Sequence, residues 1–142
     1  MSDAIDVVRR LEEAWASWDG DTVRELLSPD LVQHTEHTGG GHPIDALIQA
    51  NEGVRMAMPD VQRTIEDIFE EGDKVALRIR MQGTNTGGFP WFGIPANGKS
   101  VDTDWISIYR VQDGKVVEHW AQMDVPKMMM QLGAMPAPGD EM

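Results

Sequence analysis

Apolar residues recur every three or four positions at the start of the chain, which is the spacing of one face of an α-helix. Within residues 3–18 this face comprises Ile5, Val8, Leu11, Trp15 and Trp18. The pattern predicts an amphipathic first helix, which the polar run Asp19-Gly20-Asp21 interrupts. Asp21 is then suited to cap a short second helix that reaches Leu27, before Ser28-Pro29-Asp30 ends it.

A short run at Leu31–His34 predicts the first strand, and a polar loop that ends in three glycines follows it. The next helix is expected to start at Pro43, because proline suits the first helical position, and to stop at Pro59. Its buried stripe contains Ile44, Leu47 and Ile48. Asn51 continues this stripe, and a polar side chain on an inward face needs a hydrogen-bonding partner.

Four later segments have the composition and alternation of β-strands. Residues 61–70 and 74–84 are joined by the turn Glu71-Gly72-Asp73. In the second of these segments apolar and polar positions alternate, as they do in a strand that is buried on one face. Residues 99–112 form the third strand, and the fourth follows Asp113-Gly114, a strong hairpin signal.

The register of this hairpin decides which side chains face the interior. Asp113-Gly114 fits either a two-residue turn or a turn with a bulge, and one residue of slip exchanges the two faces. The sequence therefore leaves open whether Asp104 or Trp105 shares a face with Asp124. In the fourth strand itself, alternation separates Glu118, Trp120, Gln122 and Asp124 from His119, Ala121 and Met123.

Helices that precede about four long strands predict an α+β fold, with the helices on one face of a curved, mostly antiparallel sheet. The chain has 142 residues, of which 41% are hydrophobic, which is enough for one sizeable core. A short helix from Lys127 to Leu132, closed by Gly133, is expected to end the fold. We therefore predict a single domain over residues 1–133 and a flexible tail over residues 134–142.

The charge of the chain narrows the choice of partners. Lys and Arg total 12 against 24 for Asp and Glu, which gives a formal net charge of -12. Such a surface repels phosphate backbones and anionic lipids, so we expect neither nucleic acid nor a membrane as a partner and favour a neutral substrate. No apolar run approaches the roughly 20 residues of a membrane span, and residues 1–6 lack the features of a signal peptide, so we expect a cytoplasmic protein.

Metal and nucleotide chemistry have little support in the sequence. The chain has no cysteine, which excludes disulfides and thiolate metal sites. His34, His37 and His42 invite a metal hypothesis, but an i, i+3 pair on a strand points to opposite faces and the loop between them offers no carboxylate at ligand spacing. No serine lies in a nucleophile elbow, and no glycine-rich segment joins a strand to a helix. We predict no metal and no cofactor.

Asp124 is the first candidate for acid-base chemistry. It follows a strand and lies beside Trp120 and Met123, where desolvation would let a carboxyl group exchange a proton near neutrality. The alternative is structural, because Asp124 immediately precedes Val125-Pro126, where an aspartate commonly caps a helix. Spacing alone favours the cap.

Three further polar residues are candidates for holding a substrate carbonyl. Gln122 lies two residues from Asp124 on the same face, and Asn51 lies on an inward helix stripe, although it could instead satisfy a neighbouring backbone group. His34 ends the first strand and could orient a carbonyl or tune Asp124, although a lone histidine is equally well explained as a hydrogen-bonded core or rim residue.

Aromatic residues suggest a pocket for a flat ligand. The candidates are Trp15, Trp91, Phe92, Trp105 and Trp120. For Trp15, on a helical stripe, ordinary core packing is the favoured alternative. Trp91 and Phe92 lie in a loop after several glycines, where they would form a mobile pocket wall over residues 89–94 or an oligomer contact.

Several segments, in this order, are similar to those of a known family. Asp113 to Trp120 (DGKVVEHW), then Asp124, then Gln131-Leu132-Gly133 resembles the C-terminal signature of the SnoaL-like polyketide cyclases, in the superfamily of nuclear transport factor 2 and ketosteroid isomerase. Upstream, the segments that also resemble this family are Met58-Pro59-Asp60-Val61, Glu71-Gly72-Asp73-Lys74-Val75-Ala76 and Gly83-Thr84-Asn85-Thr86-Gly87.

The resemblance implies a cone-shaped domain with a deep pocket, and a homodimer or larger homo-oligomer. It also implies that Asp124 is the general acid and base and that His34 faces the pocket. The function predicted on this basis is a cofactor-free cyclase or isomerase that closes a ring, by an aldol reaction, in a polyketide-like carbonyl substrate. The alternatives are an isomerase, dehydratase or hydrolase of a small hydrophobic molecule, or a non-catalytic small-molecule binder, because one fold can host all of these.

Overall fold

The protein has four α-helices and five strands within the residues that its computed structural model describes, 3–34 and 42–135. In chain order they are α1 (Ala4–Ala16), α2 (Gly20–Leu26), β1 (Leu27–His34), α3 (Pro43–Ala57), β2 (Gln62–Glu71), β3 (Lys74–Thr84), β4 (Ser100–Gln112), β5 (Lys115–Met123) and α4 (Val125–Gln131). A 3-10 turn spans Pro90–Phe92. None of these helices is both long and apolar enough to cross a membrane.

The strands form one mixed sheet in the order β1-β5-β4-β3-β2. β1 pairs with β5 in parallel, and the other three pairings are antiparallel. The predicted α+β fold with a mostly antiparallel sheet is therefore confirmed. Of the predicted tail, only Ala134 and Met135 lie within the described residues.

The junction between α2 and β1 differs from the prediction. Asp19, rather than Asp21, caps α2: its Oδ1 accepts a hydrogen bond of 3.1 Å from the backbone N–H of Thr22. Leu27 has extended backbone angles and begins β1, so Ser28-Pro29-Asp30 belongs to the strand. Both aspartates have capping chemistry, and only the one that precedes the first helical residue can reach the free N–H groups.

The hairpin between β4 and β5 has a two-residue turn with positive φ angles of 53° at Asp113 and 76° at Gly114, which is the combination that type I′ turns require. The pairing slips once, between Arg110 and Val111. Beyond this bulge Trp105 lies opposite Met123. Trp105, rather than Asp104, therefore shares its face of the sheet with Met123, because paired residues project to the same side.

The helices cover one face of the sheet, and the hydrophobic core lies between them. Its larger part joins α1 to β3 and β4 and contains Val7, Val8, Leu11, Trp15, Val75, Leu77, Ile79 and Val111. A second cluster lies under the 3-10 turn and includes Met58, Met81, Phe89, Val101, Met128 and Leu132. The opposite face of the sheet, called here the outer face, is open to solvent and exposes Val32, Phe69 and Ile106.

Candidate active site

A cavity of about 670 Å³ opens between the inner face of the sheet, helices α1 and α3, and the segment around the 3-10 turn. This volume is in the range of small-molecule sites. Seven of the residues predicted to bind or act on a substrate border it: Trp15, His34, Asn51, Trp91, Phe92, Trp105 and Gln122. Binding by these residues stays a prediction, and the polar groups among and beside them decide which chemistry the cavity can support.

His119, on the inner face of β5, is the centre of one polar group in the cavity. Its Nδ1 lies 2.9 Å from Oε1 of Gln33, and its Nε2 lies 3.2 Å from Oγ of Ser107. An amide oxygen can only accept, so Nδ1 carries the proton and Nε2 presents its lone pair to the Ser107 hydroxyl. The ring of Tyr109 stacks on the imidazole at a centroid distance of 4.3 Å, which fixes the plane of the ring.

Burial keeps His119 neutral. The residue is 6% exposed, and the loss of hydration lowers its pKa to about 4, with smaller electrostatic contributions from Arg63 and His34. At neutral pH the residue is therefore an uncharged imidazole whose one basic nitrogen, Nε2, lies beside the Ser107 hydroxyl. A group in this state can accept a proton from a substrate and return it later.

A second polar group contains a buried ion pair between Arg63 on β2 and Glu12 on α1. Nη2 of Arg63 lies 2.9 Å from Oε2 of Glu12, and Nη1 donates to Oδ1 of Asn51 at 2.7 Å. The Tyr109 hydroxyl donates to the other oxygen of Glu12 at 3.3 Å. Burial, and next the negative charge of Glu12, raise the pKa of Tyr109, so the phenol stays protonated. The guanidinium lies 4.9 Å from the ring centre of Trp105.

The side chains that border the cavity within the described residues include no aspartate and no glutamate. Their titratable groups are His34, Arg63, Tyr109 and His119. Arginine does not release its proton in proteins, and the buried phenol stays protonated. The imidazole of His34 is bound to Glu118 and stacked on Trp120, which makes His119 the best-placed base. In the same part of the chain no three metal-ligating side chains cluster, and His37 of the metal hypothesis lies outside it.

Asp124 lies at the N-terminus of α4, with its side chain exposed and outside the set of residues that border the cavity. Its Oδ1 accepts a hydrogen bond of 3.1 Å from the backbone N–H of Lys127. This is the capping geometry that the sequence offered as the alternative to catalysis. A ligand in the cavity would meet Met123 and Met128, which lie before and after Asp124 in the chain, rather than the carboxylate.

His34 and Trp120 interact with each other on the outer face of the sheet. The parallel register places them opposite one another, and their rings stack with centroids 5.0 Å apart. His34 Nε2 also lies 2.7 Å from Oε2 of Glu118, and Lys74 lies over the Trp120 ring at 5.3 Å. His34 borders the cavity, but its imidazole is engaged elsewhere. Trp120 does not border the cavity, so a substrate inside would not reach it.

Asn51 has its hydrogen-bonding capacity partly used inside the protein. Its Nδ2 donates to the carbonyl of Leu47 at 2.9 Å, and its Oδ1 accepts from Arg63.

At the cavity mouth the ring of Trp91 packs so close to Gly53 of α3 that a Cβ added to this glycine would lie 3.2 Å from the ring. Trp91 is 51% exposed, so one face of this wall is covered by protein and the other is open.

Sequence reasoning missed most of the polar groups in this site: Glu12, Gln33, Arg63, Ser107, Tyr109 and His119. Two signals could have pointed to some of them. Glu12 lies four residues after Val8 and three before Trp15, on the apolar stripe of the first helix, where a carboxylate requires a partner. His119 was grouped with Ala121 and Met123, but the register that makes this face the inner one was open.

Comparison with known proteins adds an independent finding. The model of the SnoaL-like polyketide cyclase family matches residues 5–132. A curated relative, the aklanonic acid methyl ester cyclase DnrD of Streptomyces peucetius, is 29% identical over 139 residues, which cover 94% of this chain and 92% of the relative.

Solved structures agree with this match. The wild-type IdmH structure, a proposed polyketide cyclase from Streptomyces antibioticus, is 33% identical, with a TM-score of 0.81 and coverage of 93% of this chain and 99% of that one. AclR, a proposed hydroxylase from Streptomyces galilaeus, is 31% identical with a TM-score of 0.81, over 94% of this chain and 83% of that one. The shared fold therefore occurs in proteins to which different chemistry is ascribed.

Proposed function

The chain belongs to the family of SnoaL-like polyketide cyclases, and from this premise we propose that it is a cofactor-free cyclase that closes a ring in a polyketide-like carbonyl substrate by an aldol reaction. The observation that carries the proposal is a neutral imidazole, His119, on the inner face of a largely apolar cavity of about 670 Å³. Such a cavity holds a flat carbonyl compound by contact area and leaves one basic nitrogen to move a proton.

The proposed reaction moves one proton out and back. Nε2 of His119 removes a proton from a methylene group between two carbonyls, which leaves an enolate and an imidazolium. The enolate carbon attacks a second carbonyl carbon, the new C–C bond forms, and the π electrons of that carbonyl move to its oxygen. The resulting alkoxide takes the proton back from Nε2, so the product has the same mass as the substrate.

The neighbours of His119 suit this role. Gln33 accepts from Nδ1 and so keeps the basic nitrogen at Nε2, on the side of Ser107. The Ser107 hydroxyl can pass a proton between the substrate and Nε2, because it can donate and accept at the same time. Because burial lowers the pKa of His119 to about 4, the imidazole is a weak base, and the reaction requires a methylene group that two carbonyls already make acidic.

Conversion of a candidate substrate tests the proposal. Aklanonic acid methyl ester, the compound in the name of the curated relative, is incubated with the protein, and its products are separated by liquid chromatography and mass spectrometry. We expect a product of unchanged mass and altered retention. Ala121 borders the cavity on β5, so Ala121→Phe should block conversion, whereas Ala16→Phe, at the exposed end of α1 and away from the cavity, serves as a matched control. Equal conversion by both variants would contradict the proposal that the reaction takes place in the cavity.

A non-catalytic binder is the second candidate. It is favoured by one observation, that both ring nitrogens of His119 already have partners and no carboxylate borders the cavity within the described residues. Such a binder would hold flat carbonyl compounds in the cavity without changing them. Saturable binding of several such compounds, with no conversion of any of them at high protein concentration, would favour this reading over the cyclase.

We also propose that the protein forms a homodimer through the outer face of the sheet. An in-register row crosses all five strands there and consists of Phe69, Ala76, Ile108, Trp120 and His34. Phe69 is 67% exposed and Ile106, in the next row, is 53% exposed. Adjacent rows carry both signs of charge, in the pairs Arg78–Asp104 and Arg80–Asp102, so a second copy packed on this face would not meet a surface of one sign.

Light scattering coupled to size exclusion tests the dimer. We expect the wild type to have twice the mass of one chain. Ile106→Arg, on the outer face, should reduce it to the mass of one chain, while Glu13→Arg, on the exposed side of α1, should leave it unchanged. A wild type with the mass of one chain at all concentrations would contradict the proposal.

A further inference from the structure

Arg63 has hydrogen-bond donors that the protein does not use. A guanidinium has five N–H groups in a planar fork. One donates to Glu12 and one to Asn51, and Nε is buried without a partner, against the ring of Trp105. The second hydrogen on each terminal nitrogen has no partner among the described residues. Arg63 borders the cavity, and its side chain is 13% exposed there.

The surroundings of Arg63 hold it in one orientation. The buried carboxylate of Glu12, 5% exposed, compensates its charge, and the Trp105 ring, with the guanidinium carbon 4.9 Å from its centre, limits the movement of the side chain. Tyr109 connects this group to the proposed base, since its hydroxyl donates to Glu12 while its ring stacks on His119. The fixed donors and the basic nitrogen therefore belong to one rigid cluster beside the same cavity.

We propose that Arg63 is a catalytic residue that donates its free N–H groups to the enolate or phenolate oxygen of the bound ligand. The inference rests on the proposed function and adds to it the group that stabilises the anion which forms when the base removes a proton. Preorganised donors aimed at a developing negative charge are effective in a cavity that excludes water, because no solvent has to reorient during the reaction. Glu12 is a positioning residue, which holds the fork and reduces its net charge.

The test measures anion stabilisation without turnover. The probe is 2-hydroxyanthraquinone, a flat three-ring ketone whose hydroxyl changes the absorbance of the dye when it ionises. The protein is held in excess, the pH is varied through the ionisation range of the dye, and the ratio of bound anion to bound neutral dye is read from the spectrum. Because no reaction is needed, a protein without cyclase activity still gives a result.

Two variants isolate Arg63. Glu12→Gln removes the compensating charge and keeps a carbonyl oxygen for the hydrogen bond from Tyr109, and Glu12→Gln/Arg63→Met then removes the cation in the same background. The second substitution is made only in this background, since Arg63→Met alone would leave a buried carboxylate without its partner, at a cost to folding. Arg24→Met, in an exposed ion pair with Asp45 away from the cavity and the outer face, is the control for the loss of any arginine.

We expect Glu12→Gln to raise the ratio of bound anion to neutral dye above that of the wild type. The double variant should lower the ratio about ten- to a hundredfold relative to Glu12→Gln, the range for a lost hydrogen bond to a charged group. Arg24→Met should match the wild type. An equal ratio in Glu12→Gln and the double variant would overturn the assignment of Arg63. If the double variant lowers the ratio as expected but the protein converts no substrate, only the cyclase proposal is overturned and the assignment of Arg63 stands.

Discussion

Acidification should destabilise the protein through His119 before it affects most carboxylates. The imidazole has an ordinary pKa of 6.5, and burial lowers it to about 4 in the folded protein. The unfolded chain therefore takes up a proton at His119 as the pH falls through 6.5, while the folded chain resists it. The stabilisation from the neutral imidazole is complete above pH 6.5 and is lost progressively as the pH falls towards 4.

The size of the effect follows from the two pKa values. Between about pH 7.5 and about pH 5, linkage predicts a loss of about 2 kcal/mol in the free energy of unfolding, and the full difference below pH 4 corresponds to about 3 kcal/mol. Partnered carboxylates such as Asp73 and Glu118 have lowered pKa values and lose stabilisation over an overlapping range, so the wild type alone does not isolate the histidine.

Urea unfolding of the wild type and of His119→Gln, at several pH values, isolates the contribution of His119 to the pH dependence of stability. Glutamine can still hydrogen-bond to Gln33 and Ser107 but does not titrate, and every other group is common to the two proteins. We expect the stability difference between wild type and variant to shrink by about 2 kcal/mol from about pH 7.5 to about pH 5. A difference that stays constant over this range would refute the buried, neutral state of His119.

Asp124→Ala should lower the free energy of unfolding by about 1 kcal/mol, while Asp124→Asn should be nearly neutral because asparagine also caps; urea unfolding measures both, and equal losses would contradict the cap. Trp91→Ala should weaken binding of 2-hydroxyanthraquinone about tenfold through lost apolar contact, and unchanged affinity with a changed oligomer mass would make the segment an interface instead. Gly87→Ala would place a Cβ 1.9 Å from the carbonyl oxygen of Met56 and should cost about 1–3 kcal/mol of stability, whereas Gly20→Ala, with open space around it, should not; equal melting temperatures of these two variants would contradict the tight contact.

The elements with a clear period were predictable from sequence. The apolar repeat of α1 and the alternation of β3 each predict one buried face, and in the structure that face of each element is buried. The α2–β1 junction was not predictable, because Asp19 and Asp21 can both cap a helix and Leu27 is apolar enough for either element. Local sequence contains no signal that distinguishes these choices, and packing of Leu27 into the core decides between them.

The site was less predictable than the fold because its parts meet through long-range pairing. Gln33 reaches His119 only because β1 pairs with β5 in parallel, across more than 80 residues. Ser107 and His119 face the cavity only because the β4–β5 pairing slips once near the hairpin. Asp124 shows that local sequence can fit two roles, since an aspartate at this position could be a catalyst or a helix cap. Its position in three dimensions favours the cap.

The rates of ring closure by three proteins, measured on one substrate at neutral pH, decide whether the proton moves through His119 inside the cavity. Wild type, His119→Gln and Asp124→Asn are compared under identical conditions, after unfolding curves have shown that all three are folded. We expect His119→Gln to lose roughly 10²- to 10⁴-fold in turnover while Asp124→Asn stays close to the wild type. The reverse order, with Asp124→Asn inactive and His119→Gln active, would contradict it.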